Sequence, residues 1–505
     1  LRLEIDRESP TPIYVQIRNR LRERILSGEL PEGLRLPPER ELAQHLGVNR
    51  TTVLNAYREL KAEGLVSAHV GRGTVVCRME KPQDEGMETL SAPLHWERYL
   101  RPLPDDSRDG IMRQIWDRCP SPEVACFSCG MPDRGLFPTE LMGELHTRAF
   151  REAGPEVLDL MPVEGYFPLR EALADLMRHR GINASPEDVV VTGGSQQGVD
   201  LLARMMVESG DGVAAEDPLY VNGRAVLNSL GARIYGVPMD CDGMRPDVLE
   251  GLLRRYALKF VYVGPNFQNP TGVVMSSPRR CEILDLARRH QVPVLEDDPY
   301  FDLRYEGADL PPIKALDSSG HVLYASTASK TLVPGLRLGW VVLPRPMVRR
   351  FVRFKRGADL ATNGVAQWVL HRYIVEGHYQ RHLERVRREY AHRLKAMEDL
   401  LAQEEPRTGW RWHHPQGGMF LWLELPEGVD AQRFALRAAA RGVVCAPGSI
   451  YAVDGGNERF LRINFTLPSQ EAMAQGVPLM VKALHECLLE DRTLRRSDAE
   501  SLSAV

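Results

Sequence analysis

Ser326-Thr-Ala-Ser-Lys-Thr-Leu-Val-Pro-Gly-Leu-Arg-Leu-Gly339 is the stretch on which the reading of this chain turns. A β-rich run, His321-Val-Leu-Tyr-Ala325, leads into it, and small hydroxyl residues flank Lys330. A lysine that forms a Schiff base must be neutral part of the time, which requires a pocket that lowers its pKa. Thr327 or Ser329 can hold a phosphate together with Arg337, whose guanidinium is a planar, permanently charged fork. Taken alone, a loop lysine near an arginine reads equally as a solvated surface pair.

Motifs upstream and downstream narrow the choice. Val189-Val-Val-Thr192 is a buried strand by composition, followed by Gly193-Gly-Ser-Gln-Gln-Gly198 and an apolar helix. A glycine turn between strand and helix offers backbone N–H groups to a phosphate at the positive end of the helix, or it is simply a packing turn. Asp217-Pro-Leu-Tyr220 follows another apolar strand, and Tyr220 is either a ring to stack on a ligand or a core tyrosine. Lys259-Phe-Val-Tyr-Val263 leads into Pro265-Asn-Phe-Gln-Asn-Pro-Thr-Gly272, turn chemistry at the end of a strand, where parallel sheets place their ligand groups. In Val292-Pro-Val-Leu-Glu-Asp-Asp-Pro-Tyr300, acidic residues end an apolar strand, a costly arrangement unless they are paired or cap a helix. Phe460-Leu-Arg-Ile-Asn-Phe-Thr466 alternates like a strand, with Arg462 either a carboxylate clamp or an edge-strand arginine.

In this order the motifs resemble fold-type I aminotransferases over residues 123–490. The resemblance implies an α/β fold with a mostly parallel mixed sheet, a smaller C-terminal α+β part, and pyridoxal 5'-phosphate (PLP) joined to Lys330. It implies Ser195, Gln196, Thr327, Ser329 and Arg337 as phosphate ligands and Tyr220 as the residue stacked on the pyridine. Asn269 and Tyr300 would serve the phenolic oxygen, and Asp297 the protonated ring nitrogen, strengthening the ring as an electron sink. Gly130, in Cys129-Gly-Met-Pro132, would lie near the substrate carboxylate that Arg462 clamps. One position departs from the pattern: Leu160, five residues before Gly165, stands where the family often has a tyrosine for the neighbouring subunit's phosphate. That role is not carried over.

The first eighty residues follow different rules. Ile13, Ile17, Leu21 and Ile25 recur every fourth residue, one buried helical stripe. A second helix reads Pro38 to Leu46, Gly47-Val48 turns the chain, and Asn49 is a good N-cap for a third helix through about Glu63. Helix, tight turn and helix form a helix-turn-helix whose second member suits the major groove. Leu65 to Val76 reads as two short strands around a glycine turn, a wing. Asn49, Arg50, Thr51 and Thr52 have the types that donate to phosphates and base edges; on composition alone they are equally a solvated, capped helix start. Leu36-Pro-Pro-Glu-Arg-Glu-Leu-Ala43, Gly47-Val-Asn-Arg-Thr-Thr-Val53 and Gly71-Arg-Gly-Thr74 resemble the GntR-type winged helix. The resemblance implies DNA contacts from Arg40, Asn49, Arg50, Thr51, Thr52 and Gly71, with Asn49 where Ser or Thr is more usual.

With 505 residues, 43% hydrophobic and 26% charged, the chain has the composition of a multidomain soluble protein. No apolar run is long enough for a membrane span, and the first residues do not read as a signal peptide. Eight scattered cysteines favour reduced thiols in a cytoplasm over a disulfide framework, and no metal site is expected. A net charge of −4 is silent about nucleic acid, so that expectation rests on the first segment alone. The expected domains are a DNA-binding domain over 1–77, a linker over 78–122, the PLP-binding domain over 123–490 and a disordered tail over 491–505. The fusion resembles MocR-type (GabR-like) regulators. It implies a homodimer that binds a double-stranded operator and senses an amino acid or other amine by aldimine exchange. The alternative is an active aminotransferase of the aminoadipate or aromatic amino acid type, since every residue its half-reaction needs is present. A third reading has the regulator sensing PLP itself.

Overall fold

The chain folds into two compact units, Leu1–Arg101 and Pro102–Val505. The computed structural model describes residues 3, 5–7, 11–69, 73–77, 96–100, 110, 113 and 124–502.

In the first unit, α1 (Ile13–Leu26), α2 (Glu39–Leu46) and α3 (Arg50–Ala62) precede the antiparallel strands β1 (Val66–His69) and β2 (Gly73–Val76). Ile17, Leu21 and Ile25 pack on Leu42, Val53, Ala56, Tyr57 and Leu60, the core that the four-residue periodicity predicts; Ile13 is only partly buried. Gly47 ends α2 in the left-handed region at φ 60°, which lets α3 start three residues later at a new angle. Arg18–Glu59 at 2.6 Å and Arg22–Glu63 at 2.9 Å tie α1 to α3. Of the expected linker over 78–122, residues 96–100, 110 and 113 are described, and Trp96–Arg98 forms a single short turn.

The second unit opens with β3 (Ala125–Cys126) and contains a large sheet. Its strands are β4 (Val189–Thr192), β5 (Gly212–Asp217), β6 (Arg233–Asp240), β7 (Gly243–Met244), β8 (Leu258–Val263), β9 (Val294–Asp297), β10 (Val322–Thr327) and β11 (Gly339–Val342). Their order across the sheet is β4-β11-β10-β9-β8-β5-β6-β7. Neighbours from β10 to β6 run parallel, whereas β11 runs against both β10 and β4. β8, β9 and β10 are buried almost throughout, as apolar runs must be when helices cover both faces. The carboxyl ends of β4, β5, β8, β9 and β10 therefore open on one edge, where ligands bind in such sheets.

A smaller antiparallel sheet follows from β12 (Arg411–Trp412), β13 (Phe420–Glu424), β15 (Ala446–Pro447) and β16 (Phe460–Asn464), while β14 (Val443–Val444) pairs with β3. Phe127, Trp410, Phe434 and Ile463 are fully buried in its core. The last helix runs from Gln470 to Leu502, so the tail expected to be disordered is helical to that point. Its sequence permits this, since no glycine or proline follows Pro478. Cys77, Cys129, Cys241, Cys281, Cys445 and Cys487 are free thiols, but Cys126 is disulfide-bonded. The expectation of reduced thiols fails there because folding, not spacing along the chain, decides which sulfurs meet. Among the described residues no helix is long and apolar enough to cross a membrane.

Candidate functional site

Lys330 sits just beyond β10, and its Nζ donates to the Gly130 carbonyl at 2.7 Å. Burial, then Arg462 and Arg337 nearby, lower its ammonium to about 8, against a weaker opposing pull from Asp297. A cavity of about 480 Å³ opens beside it. Ser195, Tyr220, Asn269, Asp297 and Tyr300 line that cavity with Lys330, five motifs from five strand ends brought to one place.

The glycine turn after β4 packs against the start of β11. Gly194 has φ 109°, and a Cβ there would meet the Arg337 guanidinium at 2.8 Å. A Cβ on Gly339 would stand 2.5 Å from the Gly194 carbonyl carbon and the Ser195 nitrogen. The two glycines thus let Arg337, the Ser195 amide and the start of the helix Ser195–Met206 close into one cradle. Arg337 itself is left-handed at φ 51° and donates to the Gly193 carbonyl at 3.0 Å and to Ser329 Oγ at 3.5 Å. Thr327 faces inward: its hydroxyl donates to the Leu338 carbonyl at 2.8 Å and accepts from the Ser329 amide at 3.1 Å. Gln196 reaches sideways, bonding the Asn222 carbonyl at 3.2 Å and the Tyr220 hydroxyl at 3.4 Å.

The three acids after Leu295 part company. Glu296 accepts from the amides of Ile313 and Lys314 at 2.8 and 2.7 Å, the helix-capping arrangement. Asp298 accepts from Asn266 at 3.0 Å and Tyr324 at 2.9 Å. Asp297 accepts from Tyr262 at 2.6 Å through Oδ2, but its buried Oδ1 has no partner. Burial pushes its carboxyl up to about 6. Two further residues, not singled out in the sequence, belong to the site. Tyr262 is one more apolar-strand residue, without a local signal. Glu216, fully buried at the end of β5, accepts from the Gly264 amide at 3.0 Å and is raised to about 7 by burial. The reasoning applied to Asp297 would have found it, since it too is an acid ending an apolar strand.

Arg462, on β16, is 4% exposed. It donates to Asn269 Oδ1 at 2.8 Å and to the Ser128 carbonyl, while its Nε has no partner. The rings of Phe420 and Tyr451 cover it at 4.2 and 5.0 Å, and Phe420 also limits space at Gly130, where a Cβ would meet it at 3.0 Å. Tyr300 is buried with its ring edge-on to Phe420.

In the first unit, Asn49 caps α3 by accepting from the Thr51 amide at 3.2 Å. Arg40, Asn49, Arg50 and Thr51 are exposed and Thr52 is partly so; Arg50 pairs with Glu39 at 3.1 Å. Gly71 lies outside the described residues.

A winged helix on one unit and a PLP-type aminotransferase chamber on the other define a regulator with an aminotransferase-like domain. Residues 13–76 match the gntR family of bacterial regulatory proteins, and residues 138–477 match aminotransferase class I and II. The chain belongs to the aminotransferase class I and II family and carries a GntR-type DNA-binding domain in front of it, the make-up of MocR-type regulators. It is 33% identical to the uncharacterized HTH-type transcriptional regulator YdfD of Bacillus subtilis, over 94% of this chain and 97% of that one. It is 34% identical to the probable rhizopine catabolism regulatory protein MocR of Rhizobium meliloti, over 78% of each. Among solved structures, LysN, the alpha-aminoadipate aminotransferase of Thermus thermophilus complexed with N-(5'-phosphopyridoxyl)-L-leucine, superposes with a TM-score of 0.71 at 33% identity. That match covers 78% of this chain and 100% of LysN.

The family is PLP-dependent, and the residues present fit that cofactor. The partnerless Asp297 Oδ1 suits a protonated ring nitrogen, the glycine cradle with Arg337 suits a phosphate, and Lys330 is already lowered toward neutrality.

Proposed function

We propose that the chain is a DNA-binding regulator, acting as a cytoplasmic homodimer, whose aminotransferase-like domain holds PLP and takes up an amine that carries a carboxylate. The single observation that carries this reading is the pairing of Lys330, its ammonium lowered to about 8, with a buried Arg462 that keeps one nitrogen unpartnered. PLP, when bound, supplies an electrophilic carbon for an amine and a ring that draws electron density away from it. Lys330 Nζ holds or yields the proton at that position. Asp297 keeps the ring nitrogen protonated, and Tyr262 orients the carboxylate. Ser195, Gln196, Ser329 and Arg337 hold the phosphate, with Thr327 bracing Ser329 from behind. Tyr220 covers the ring, Asn269 and Tyr300 serve its oxygen, and Arg462 beside Gly130 takes the ligand's carboxylate. On the first unit, Asn49, Arg50, Thr51 and Thr52 at the start of α3 read DNA, with Arg40 and Gly71 at the backbone. Leu158, Leu160 and Leu360 stay 70%, 75% and 59% exposed in the single chain, which supports a second copy covering them.

The test follows the visible absorbance of the PLP-loaded full chain while amino acids are added without keto acid, with DNA affinity measured in parallel. A lasting spectral change accompanied by a change in DNA affinity is the expected result. Conversion to pyridoxamine phosphate with release of keto acid would favour the enzyme reading, which the likeness to LysN supports. Spectral changes that never alter DNA affinity would sink the sensor. DNA affinity that follows PLP with no amine present would point to PLP as the signal.

A further inference from the structure

The helix Arg345–Asp359 buries Phe351, Val352 and Lys355 and turns Arg349, Arg350, Arg353 and Arg356 to the exterior. None of these four forms an ion pair or side-chain hydrogen bond among the described residues. Several other arginines of this unit are paired, although Arg134, Arg151 and Arg233 are not among the described residues, and none of those three stands in a row of like charges on one helix. Arg204 pairs with Asp200 at 2.8 Å, Arg254 with Glu250 at 2.8 Å, and Arg148 with Glu376 at 2.9 Å. The carboxylates at hand are spoken for: Asp200 by Arg204, and Asp359 by Lys355 and Gln197, both at 2.9 Å. Four like charges on one helix cost a few tenths of a kcal/mol per neighbouring pair. Exposed positions impose no need for them, in a chain whose net charge is −4.

Arg349, Arg353 and Arg356 follow one another at four and three residues, so they form a row along one helix face about 10 Å long. Arg349, Arg350 and Arg353 border a groove of about 1220 Å³ that also takes in Arg204, Leu230 and Phe354. That is somewhat above the ~300–1,000 Å³ of a typical metabolite pocket. An extended polyanion suits it. Duplex DNA is the polyanion this chain meets if its winged helix binds an operator, and the winged-helix segment has nearly balanced basic and acidic residues. Its own capacity to neutralise phosphates is therefore small.

We infer that the Arg349–Arg356 face of the aminotransferase-like domain binds the phosphate backbone of duplex DNA beyond the stretch read by the winged helix. The inference rests on the DNA-binding reading above. Binding of this kind is independent of base sequence, so it shows in salt dependence rather than in specificity.

The experiment measures binding of the full PLP-loaded chain to a mixed-sequence duplex several helical turns long, by fluorescence anisotropy across a range of salt. The variant replaces Arg349→Gln, Arg350→Gln, Arg353→Gln and Arg356→Gln together; its fold is checked by thermal unfolding and cofactor absorbance. The plot of log K against log salt should become shallower by about 0.9 for each phosphate no longer neutralised, so roughly 2–4 in all. Four arginine-to-lysine replacements should keep the parental slope. If the quadruple glutamine chain does not fold, the pair Arg349→Gln with Arg353→Gln should show about half the change. A parental slope in a folded glutamine variant overturns the inference. So does an unchanged slope with altered self-association in sedimentation, which would give the face to a second copy. A parent chain that binds no duplex would instead defeat the DNA-binding reading itself.

Discussion

Burial moves Lys330 and Asp297 toward each other, the ammonium down to about 8 and the carboxyl up to about 6. Because the Lys330 value lies below the ordinary 10.5, its neutral amine predominates above about pH 8. The rate at which PLP attaches to the cofactor-free chain should therefore rise with pH and level off above that point, as stopped-flow absorbance would show. Lys330→Ala should abolish fixation of PLP to the chain by borohydride, read by mass spectrometry; fixation elsewhere would move the assignment. Glu216 gives the opposite sign. Its carboxyl is raised from 4.5 to about 7, so the folded state binds more protons than the unfolded one between those values. Stability is then lost as pH rises through the window, and Glu216→Gln should recover roughly 1–3 kcal/mol above it in calorimetry of the cofactor-free chain. Asp297 was legible in the sequence as an acid ending an apolar strand, whereas Lys330 and Arg462 each allowed a surface reading and were singled out by the joint order of the motifs. Tyr262 was not legible, because a tyrosine in a strand needs no partner to justify it.

The cradle is a property of elements. Gly194 and Gly339 let the start of one helix and the start of β11 touch, and neither tolerates a side chain. Gly339→Ala should cost about 1–3 kcal/mol of stability by forcing backbone apart, and it should weaken PLP binding, measured by titration, more than Gly335→Ala, where a Cβ meets open space. At α3 the cap and the reader can be separated. Asn49→Ala should cost ~1 kcal/mol of winged-helix stability by removing the acceptor for the Thr51 amide. Asn49→Asp should keep that stability yet weaken DNA binding through repulsion from phosphates; equal loss in both variants would reduce Asn49 to a cap. The helix-turn-helix was legible from turn chemistry, a left-handed glycine and a capping asparagine. The last helix was not: a polar, charged segment has the same composition whether it is coil or helix.

At the scale of the molecule, two separate cores predict two unfolding transitions in calorimetry, and PLP should raise only the one belonging to Pro102–Val505. At a free concentration ~1,000-fold above its Kd, the gain is about 4 kcal/mol. A single transition displaced as a whole would mean that the units unfold together. Linkage also requires that any amine that changes DNA affinity have its own affinity changed by DNA by the same factor. The bond between Arg462 and Asn269 bears on how such a device keeps time. An incoming carboxylate must take the guanidinium from a partner it already has, so one strong interaction is traded for another and little net free energy is gained. If the proposed amine is the signal, its occupancy then decays quickly once it is gone, and transcription would follow the present supply instead of storing its history.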